Sequence, residues 1–191
     1  MEIKNYIKIY DDILPHKILS NFLKYCNYVN FEKAKILGKD GNNYVDDNQR
    51  KVEAKCLNNF KSDMTETHWS NYLYSVFIGA IERYQCDINL FGTNVIKNIV
   101  NIDLLKYENT GFYNYHFDHH ANEPRTISII LMLNNDYEGG NLCFKDNITN
   151  NETVIDTKPN RLIIWPSNFL FPHKVNPVTK GTRYSVVCWA V

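Results

Sequence analysis

Residues 99–118 of this 191-residue chain have the sequence IVNIDLLKYENTGFYNYHFD, and its pattern gives the clearest indication of the fold. Two strand-like runs, 99–105 and 113–118, are rich in β-branched and aromatic residues and are separated by turn-forming residues. The second run ends in His116-Phe117-Asp118. Side chains at positions i and i+2 of a strand point to the same face, so this imidazole and this carboxylate are predicted to project together.

Six more strand-like stretches follow, with turns of Gly, Asn, Asp and Pro between them. They cover residues 126–133, 141–144, 153–157, 161–165, 173–175 and 183–191. Eight short strands separated by turns are typical of a β-sandwich or jelly roll. Helices are predicted before these strands and not between them, which disfavours a βαβ architecture.

The first half of the chain is predicted to be helical with some strand. Apolar residues recur at helical spacing within residues 15–28 and again within residues 71–84, so each stretch is expected to form a helix. A short strand is expected at residues 7–10. Residues 38–50 are rich in Gly, Asn and Asp and are predicted to form a loop. Two interpretations of this loop stay open, a lid that closes over a bound peptide and a plain solvated turn.

The whole chain, residues 1–191, is expected to form a single domain. Within it, residues 1–98 would support a β core at residues 99–191. We predict a mainly β fold with N-terminal helices.

The composition limits the classes of function that are expected for this chain. The chain carries 21 basic and 21 acidic residues, and this formal net charge of zero does not favour nucleic-acid binding. The 5 cysteines are an odd number without close pairing and predict reduced thiols. No apolar run is long enough for a signal peptide or a membrane span, so we expect a cytoplasmic protein without a membrane partner.

His116, Asp118 and His173 are candidate metal ligands. Two imidazoles and one carboxylate form the facial triad that holds non-haem Fe(II) and leaves coordination positions open. We expect His173 to come from a strand that faces the His116 strand across the core of a jelly roll. A zinc site built from His116 with His119 and His120 is the alternative.

Arg183 is a candidate anion-binding residue. It shares one face of the last predicted strand with Ser185, Val187 and Trp189, and the opposite face is also apolar. An arginine on a strand that is partly buried on both faces needs a partner anion. Its guanidinium can bind a carboxylate through two hydrogen bonds.

Taken together, the residues from about Leu105 to Trp189 resemble the Fe(II)/2-oxoglutarate-dependent dioxygenases, most closely their prolyl 4-hydroxylase-like branch. The resemblance rests on an ordered set of blocks: Leu105–Tyr107, Gly111, Tyr115–Asp118, Arg125, Leu131–Asn134, Glu138–Phe144, Pro159–Leu162, His173–Val178 and Gly181–Tyr184. It implies a double-stranded β-helix core of the jelly-roll or cupin-like kind, with His116, Asp118 and His173 as iron ligands.

The resemblance also implies roles for residues around the metal. Arg183 would bind the distal carboxylate of 2-oxoglutarate, and the hydroxyl of Tyr107 would join it. Arg125 and Trp189 match positions that line the substrate pocket of prolyl hydroxylases. Met132 is a departure, because some relatives have a second co-substrate tyrosine there. Many relatives also have lysine at the position of Arg183.

The implied reaction is hydroxylation of an unactivated C–H bond, of a prolyl residue in a peptide or protein. It would use Fe(II), 2-oxoglutarate and O2, with ascorbate as a bound reductant, and release succinate and CO2. Two alternatives stay open. One is the same chemistry on a free amino acid, another small metabolite or a nucleobase, and the other is a jelly-roll module that binds a ligand without turnover.

Overall fold

The computed structural model describes residues 3–38, 41–90, 96, 98–122 and 124–191. The helices in these residues are a 3-10 helix at Ile3–Tyr6 and two α-helices, α1 at His16–Cys26 and α2 at Met64–Asp87.

The strands of the N-terminal half are β1 (Lys8–Tyr10), β2 (Glu32–Lys33), β3 (Ile36–Leu37), β4 (Asn43–Tyr44), β5 (Arg50–Lys51) and β6 (Glu53–Cys56). Those of the C-terminal half are β7 (Ile99–Tyr107), β8 (Phe112–His116), β9 (Ile127–Met132), β10 (Glu138–Gly139), β11 (Leu142–Lys145), β12 (Glu152–Val154), β13 (Arg161–Pro166), β14 (His173–Val175), β15 (Val178–Lys180) and β16 (Arg183–Ala190).

Two antiparallel sheets form the core. The major sheet has seven strands in the order β1-β13-β9-β16-β7-β6-β2, and the minor sheet has five in the order β12-β11-β14-β8-β5. Two further two-stranded sheets, β10-β15 and β3-β4, accompany them. This arrangement confirms the predicted fold class, a mainly β protein with N-terminal helices and a double-stranded β-helix core.

The two faces of the major sheet bury different neighbours, because successive side chains of a strand point to opposite faces. On the outer face, residues such as Leu104 and Leu131 pack with α1 and α2 in one hydrophobic cluster. On the inner face, residues such as Leu105 and Ile130 pack with side chains of the minor sheet, including Phe144. The candidate site lies on the inner face.

Both predicted α-helices are present, with different bounds. The first ends at Cys26 and not at residue 28. The second begins at Met64 and not at residue 71, because Asp63 and Glu66 form a capping box that satisfies backbone N–H groups at its start. That Asp-x-x-Glu pattern was the sequence signal for the earlier start.

The prediction of a loop over residues 38–50 was wrong in part. Within residues 38–50, β4 pairs with β3. Arg50, the last residue of the predicted loop, begins β5 at the edge of the minor sheet. Residues 39 and 40 lie outside the described part of the chain. The strand β6 was also missed, and it adds to the major sheet next to β7. Short strands with one or two alternations give too little periodicity to detect.

No helix in the described part of the chain has both the length and the apolar character that a membrane crossing requires. All five cysteines lie in described positions and carry free thiols.

Candidate active site

His116 and His173 are direct partners on adjacent strands. They occupy opposing positions on β8 and β14 of the minor sheet, and their ring centres are 4.2 Å apart. The prediction that His173 faces His116 from the opposing sheet was therefore wrong. Opposed residues on paired antiparallel strands have Cβ atoms only about 4.5–5.5 Å apart, so strand pairing alone brings the two imidazoles together.

Asp118 reaches the same point by a different route. β8 ends at His116, so Asp118 lies in a bend after the strand and not on the strand itself, as the i, i+2 prediction required. The bend is held by the carbonyl of Ser167, which accepts from the backbone N–H groups of Asp118 and His119 at 3.1 and 3.0 Å. A contact distant in sequence therefore aims this carboxylate.

The three side chains present their ligand atoms to one point. Nε2 of His116 lies 3.6 Å from Oδ1 of Asp118, and Nε2 of His173 lies 3.5 Å from Oδ2. The potential ligand atoms all lie within 4.8 Å of one another, and no other set of three metal-binding side chains clusters in this way among the described residues.

The surrounding hydrogen bonds leave these ligand atoms available. Nδ1 of His116 donates to the carbonyl of Asn114 at 2.8 Å, and Nδ1 of His173 donates to that of Phe171 at 3.1 Å. Both Nε2 atoms therefore carry a lone pair. The hydroxyl of Ser128 donates to Asp118 Oδ2 at 2.6 Å. The donor set fits a divalent transition metal, and the fixed tautomers are those a metal site needs.

Electrostatics and burial keep Asp118 and His173 in the protonation states that bind a metal. Burial alone would raise the pKa of Asp118, but the two imidazoles and the Ser128 hydroxyl outweigh it and hold that pKa well below its usual range. Burial, with the neighbouring His116, lowers the pKa of His173 to about 4. At neutral pH the site therefore combines a carboxylate with a neutral His173.

Arg183 is entirely buried, at 0% exposure. Nη1 donates to the hydroxyl of Ser185 at 2.8 Å, while Nε and Nη2 have no hydrogen-bond partner among the described residues. Its guanidinium carbon lies 4.9 Å from the ring centre of Tyr107, its partner on β7. A buried guanidinium with two unsatisfied nitrogens has the donors that an anion would need.

A cavity of about 590 Å³ opens in front of the triad. His116, Asp118 and His173 line it together with Tyr107, Arg125 and Trp189. Arg183 is not among the lining residues, but it contacts the ring of Tyr107, which is.

Arg125 and Trp189 form one unit of the cavity wall. The guanidinium carbon of Arg125 lies 3.9 Å from the Trp189 ring centre, and Nη1 contacts the carbonyl of Asp118 at 3.4 Å. The first contact is a cation–π interaction, which holds the cationic group flat against the indole. Arg125 is thereby positioned next to the triad.

The zinc alternative is not supported by the geometry. Nδ1 of His119 contacts the backbone of Arg125 at 2.8 Å, and His120 packs against Phe117 with ring centres 5.7 Å apart. Neither belongs to the ligand cluster formed by His116. Met132 is buried on the inner face, where it directly opposes Ser185 of β16.

Several residues of the site escaped the sequence analysis. Ser128 and Ser167 share a hydrogen bond of 2.8 Å behind Asp118. Ser128 is a lone polar residue in the apolar strand β9, a signal that could have been used. Tyr113 stacks on His116 with ring centres 3.5 Å apart, and Asp103 lines the cavity.

Comparisons with known proteins agree with this geometry. Residues 102–191 match the family described as the 2OG-Fe(II) oxygenase superfamily. A PKHD-type hydroxylase of Idiomarina loihiensis is 33% identical over 97 residues, which cover 49% of this chain and 43% of that protein. The chain thus spans less than half the length of the curated relatives that it matches first, at 43% and 39%.

Two solved structures share the fold. A prolyl hydroxylase from Trichoplax adhaerens, in complex with a hypoxia inducible factor peptide fragment, gives a TM-score of 0.74 at 19% identity and covers 97% of this chain and 83% of its own. A prolyl-4-hydroxylase of Pseudomonas putida gives 0.70 at 17% identity, covering 96% and 91%. The resemblance to the Fe(II)/2-oxoglutarate dioxygenases, and to their prolyl 4-hydroxylase-like branch, is confirmed.

Proposed function

We propose that this chain is an Fe(II)- and 2-oxoglutarate-dependent dioxygenase that hydroxylates a prolyl residue in a peptide or protein. The observation that carries the proposal is the pairing of two features in one small region. A 2-His-1-carboxylate cluster lines an open cavity, and a fully buried arginine with two unsatisfied nitrogens lies behind the cavity wall. The first suits Fe(II), and the second suits a dicarboxylate co-substrate.

The protein's own residues prepare the metal site. The carbonyls of Asn114 and Phe171 fix both imidazoles with Nε2 toward the metal, and Ser128 orients the carboxylate of Asp118. With 2-oxoglutarate and O2, Fe(II) bound there would supply the oxidative decarboxylation that releases succinate and CO2 and the hydroxylation of the C–H bond. The buried setting of the triad restricts water.

Arg183 and Tyr107 would hold the co-substrate. Ser185 fixes one end of the Arg183 guanidinium and leaves Nε and Nη2, two nitrogens of the planar fork, for a carboxylate. Tyr107 lines the cavity and contacts Arg183, and its hydroxyl would join the same carboxylate. Loss of either partner of such a buried ion pair is costly, because it leaves an uncompensated buried charge.

The prolyl substrate is supported by the substrate-side wall and by the relatives. Arg125 and Trp189 form a flat cation–π unit beside the triad. An apolar ring such as that of proline can pack on such a surface, while the guanidinium can donate to a peptide carbonyl. The Trichoplax adhaerens structure holds a peptide fragment, which makes a peptide or protein substrate the natural proposal here.

The test measures succinate formed from 2-oxoglutarate after anaerobic loading with Fe(II) and exposure to O2. Proline-containing peptides, free L-proline and ascorbate are each added or omitted. Succinate that rises with a peptide, together with a product 16 Da heavier, is the expected result. His116→Ala should lose it, and His16→Ala, which removes an exposed histidine of α1, should retain it.

Two other results would change the proposal. Succinate stimulated by free L-proline and by none of the peptides would replace the peptide with a small molecule as substrate. Absence of succinate from protein that binds Fe(II) would reject the dioxygenase and leave a binding module.

A further inference from the structure

Asp103 adds a carboxylate to the cavity wall that the proposed reaction does not use. It lies on the inner face of β7, where its direct partners are Val187 on β16 and Cys56 on β6. Tyr107 is four residues along the same strand, a separation of roughly 13 Å. The neighbouring inner-face pair on the other side is Asn101 and Trp189. Asp103 therefore lies on the substrate side of the cavity, away from the co-substrate residues.

One oxygen of Asp103, Oδ1, accepts no hydrogen bond from the described residues. The residue lines the cavity and is only partly buried, so its carboxyl can be reached from the cavity. Two donors in the same cavity wall share this condition, Nε of Arg50 and Nε1 of Trp189. Unsatisfied buried polar atoms are rare in proteins, and each costs about 1–3 kcal/mol. A wall with one unsatisfied acceptor and two unsatisfied donors is complementary to a ligand that carries both N–H and C=O groups.

The charges around Asp103 favour a neutral donor. Burial raises the pKa of its carboxyl, while a hydrogen bond from Cys56 and the positive charges of Arg50 and Arg125 act in the opposite direction. The carboxylate thus already has two guanidinium groups nearby. An ammonium group would meet both of them, whereas an amide N–H adds a hydrogen bond without adding charge.

The two groups, Asp103 and Arg50, belong to different sheets and line the same cavity. Arg50 lies on β5, the edge strand of the minor sheet, and its guanidinium carbon lies 4.7 Å from the ring centre of Tyr113. Asp103 belongs to the major sheet. A chain that runs between the sheets would meet an acceptor on one side and a donor on the other, the pattern that an extended peptide backbone offers.

We infer that Asp103 is a specificity-determining residue that accepts a hydrogen bond from a backbone N–H of the peptide substrate. The inference rests on the proposed function for the substrate class. A prolyl residue has no backbone N–H, so the donor must belong to a residue next to it in the peptide. Asp103 thereby reads the backbone beside the hydroxylated residue and excludes a second proline at that position.

The test measures peptide affinity and does not depend on turnover. Random peptides with one central proline are selected on the wild-type protein loaded with Mn(II) and 2-oxoglutarate without O2. The affinity of the enriched peptides is then compared with Asp103→Leu, which removes the acceptor at similar volume. We expect a loss of about tenfold or more, as for a buried hydrogen bond to a charged group.

Two control variants separate recognition from structure. Asp12→Asn removes a carboxylate that lies outside the cavity. Cys56→Ala removes the thiol that contacts Asp103 without removing the acceptor. Both should bind the enriched peptides as the wild type does.

A peptide N-methylated at the contacting position sharpens the test. Compared with the unmethylated peptide, it should bind the wild type more weakly by the same factor. Its affinity for Asp103→Leu should equal that of the unmethylated peptide, because N-methylation and the substitution remove the same hydrogen bond.

Equal affinity of the enriched peptides for the wild type and Asp103→Leu would overturn the inference, and so would a selection that enriches no peptide. Succinate formation without peptide is measured on the same proteins. If the wild type forms no succinate, the proposed function fails. If succinate forms normally and Asp103→Leu still binds peptides like the wild type, only the role of Asp103 fails.

Discussion

The outer and inner faces of the major sheet are built from the same strands but have different roles, one in packing and the other in forming the candidate site. On β9, Leu131 points outward into a cluster with α1 and α2, while Ile130 points inward to the cavity. On β16, the outward Val186 is aliphatic, while the inward Arg183 and Ser185 are polar and fully buried. The outer face stabilises the fold by burying apolar side chains. The inner face contributes less stability, because it buries polar groups without partners, and a ligand can satisfy these groups.

The largest effect is expected for Arg183→Met, a substitution on the inner face. Loss of the buried guanidinium should raise the KM for 2-oxoglutarate by the equivalent of about 3–5 kcal/mol, since it removes one partner of a buried ion pair. The apoprotein should unfold at the same or a higher temperature, because two nitrogens of Arg183 have no partner without ligand. Steady-state kinetics and thermal unfolding measure the two effects.

Arg183→Lys is the matched variant, and it should keep measurable turnover because the positive charge remains. An unchanged KM for 2-oxoglutarate in Arg183→Met would reject the anchor role.

Leu131→Ala tests the outer face. Leu131 is fully buried among aliphatic neighbours, so its truncation should cost about 2–5 kcal/mol of unfolding free energy. Ile130→Ala on the same strand should cost less, because the space it opens joins an existing cavity. Urea denaturation compares the two variants. An equal cost for both would show that the inner face is packed as tightly as the outer one.

Ser128→Ala should weaken the metal site with a smaller effect. The hydroxyl orients Asp118 without touching the metal, and loss of such a group lowers metal affinity about 10–100-fold. Titration with Co(II), followed by absorbance, measures the affinity. Ser70→Ala removes another buried serine, one that lies on α2, and should leave the affinity unchanged. Wild-type affinity in Ser128→Ala would mean that Ser167 and the bend suffice to aim the carboxylate.

The smallest effect is expected for Asp11→Asn. Asp11 lies away from both faces of the major sheet. Arg161 donates to both carboxylate oxygens of Asp11 at 2.7 and 3.0 Å, and this lowers the Asp11 pKa to about 2. A lowered folded-state pKa stabilises the protein above the unfolded value of about 4 and ceases to do so as the pH falls toward 2.

The pair is partly exposed, so the loss near neutral pH should be about 0.2–1 kcal/mol. The difference in unfolding free energy between wild type and Asp11→Asn should disappear between pH 4 and pH 2. A difference that persists at pH 2 would point to packing and not to charge.

The sequence predicted the strands of the core better than the N-terminal strands, and the reason is length. Strand β9 lies within the predicted stretch 126–133, and β16 lies within 183–191. Strands of six to eight residues are long enough to show a recognisable pattern of β-forming residues. β4 and β5 have two residues each, and their pairing depends on β3 and β8. Only the partner strand defines such short elements.

The site was predicted as a set of residues, and its geometry was not. His116, Asp118 and His173 do converge, although neither reason given for their convergence was correct. His173 pairs with His116 within one sheet, and Asp118 lies beyond the end of β8. Both differences come from contacts between residues far apart in sequence, which local periodicity cannot report.

Local patterns were enough to predict the fold class, the residue types of the metal ligands and a partly buried strand around Arg183, because alternation and residue chemistry can be recognised within one segment. The strand that supports His173, the orientation of Asp118 by the carbonyl of Ser167, and the joint lining of the cavity by Asp103 and Arg50 appear only in the folded chain. These relations depend on sheet order and strand register, which are set by packing the whole chain and not by any one segment of it.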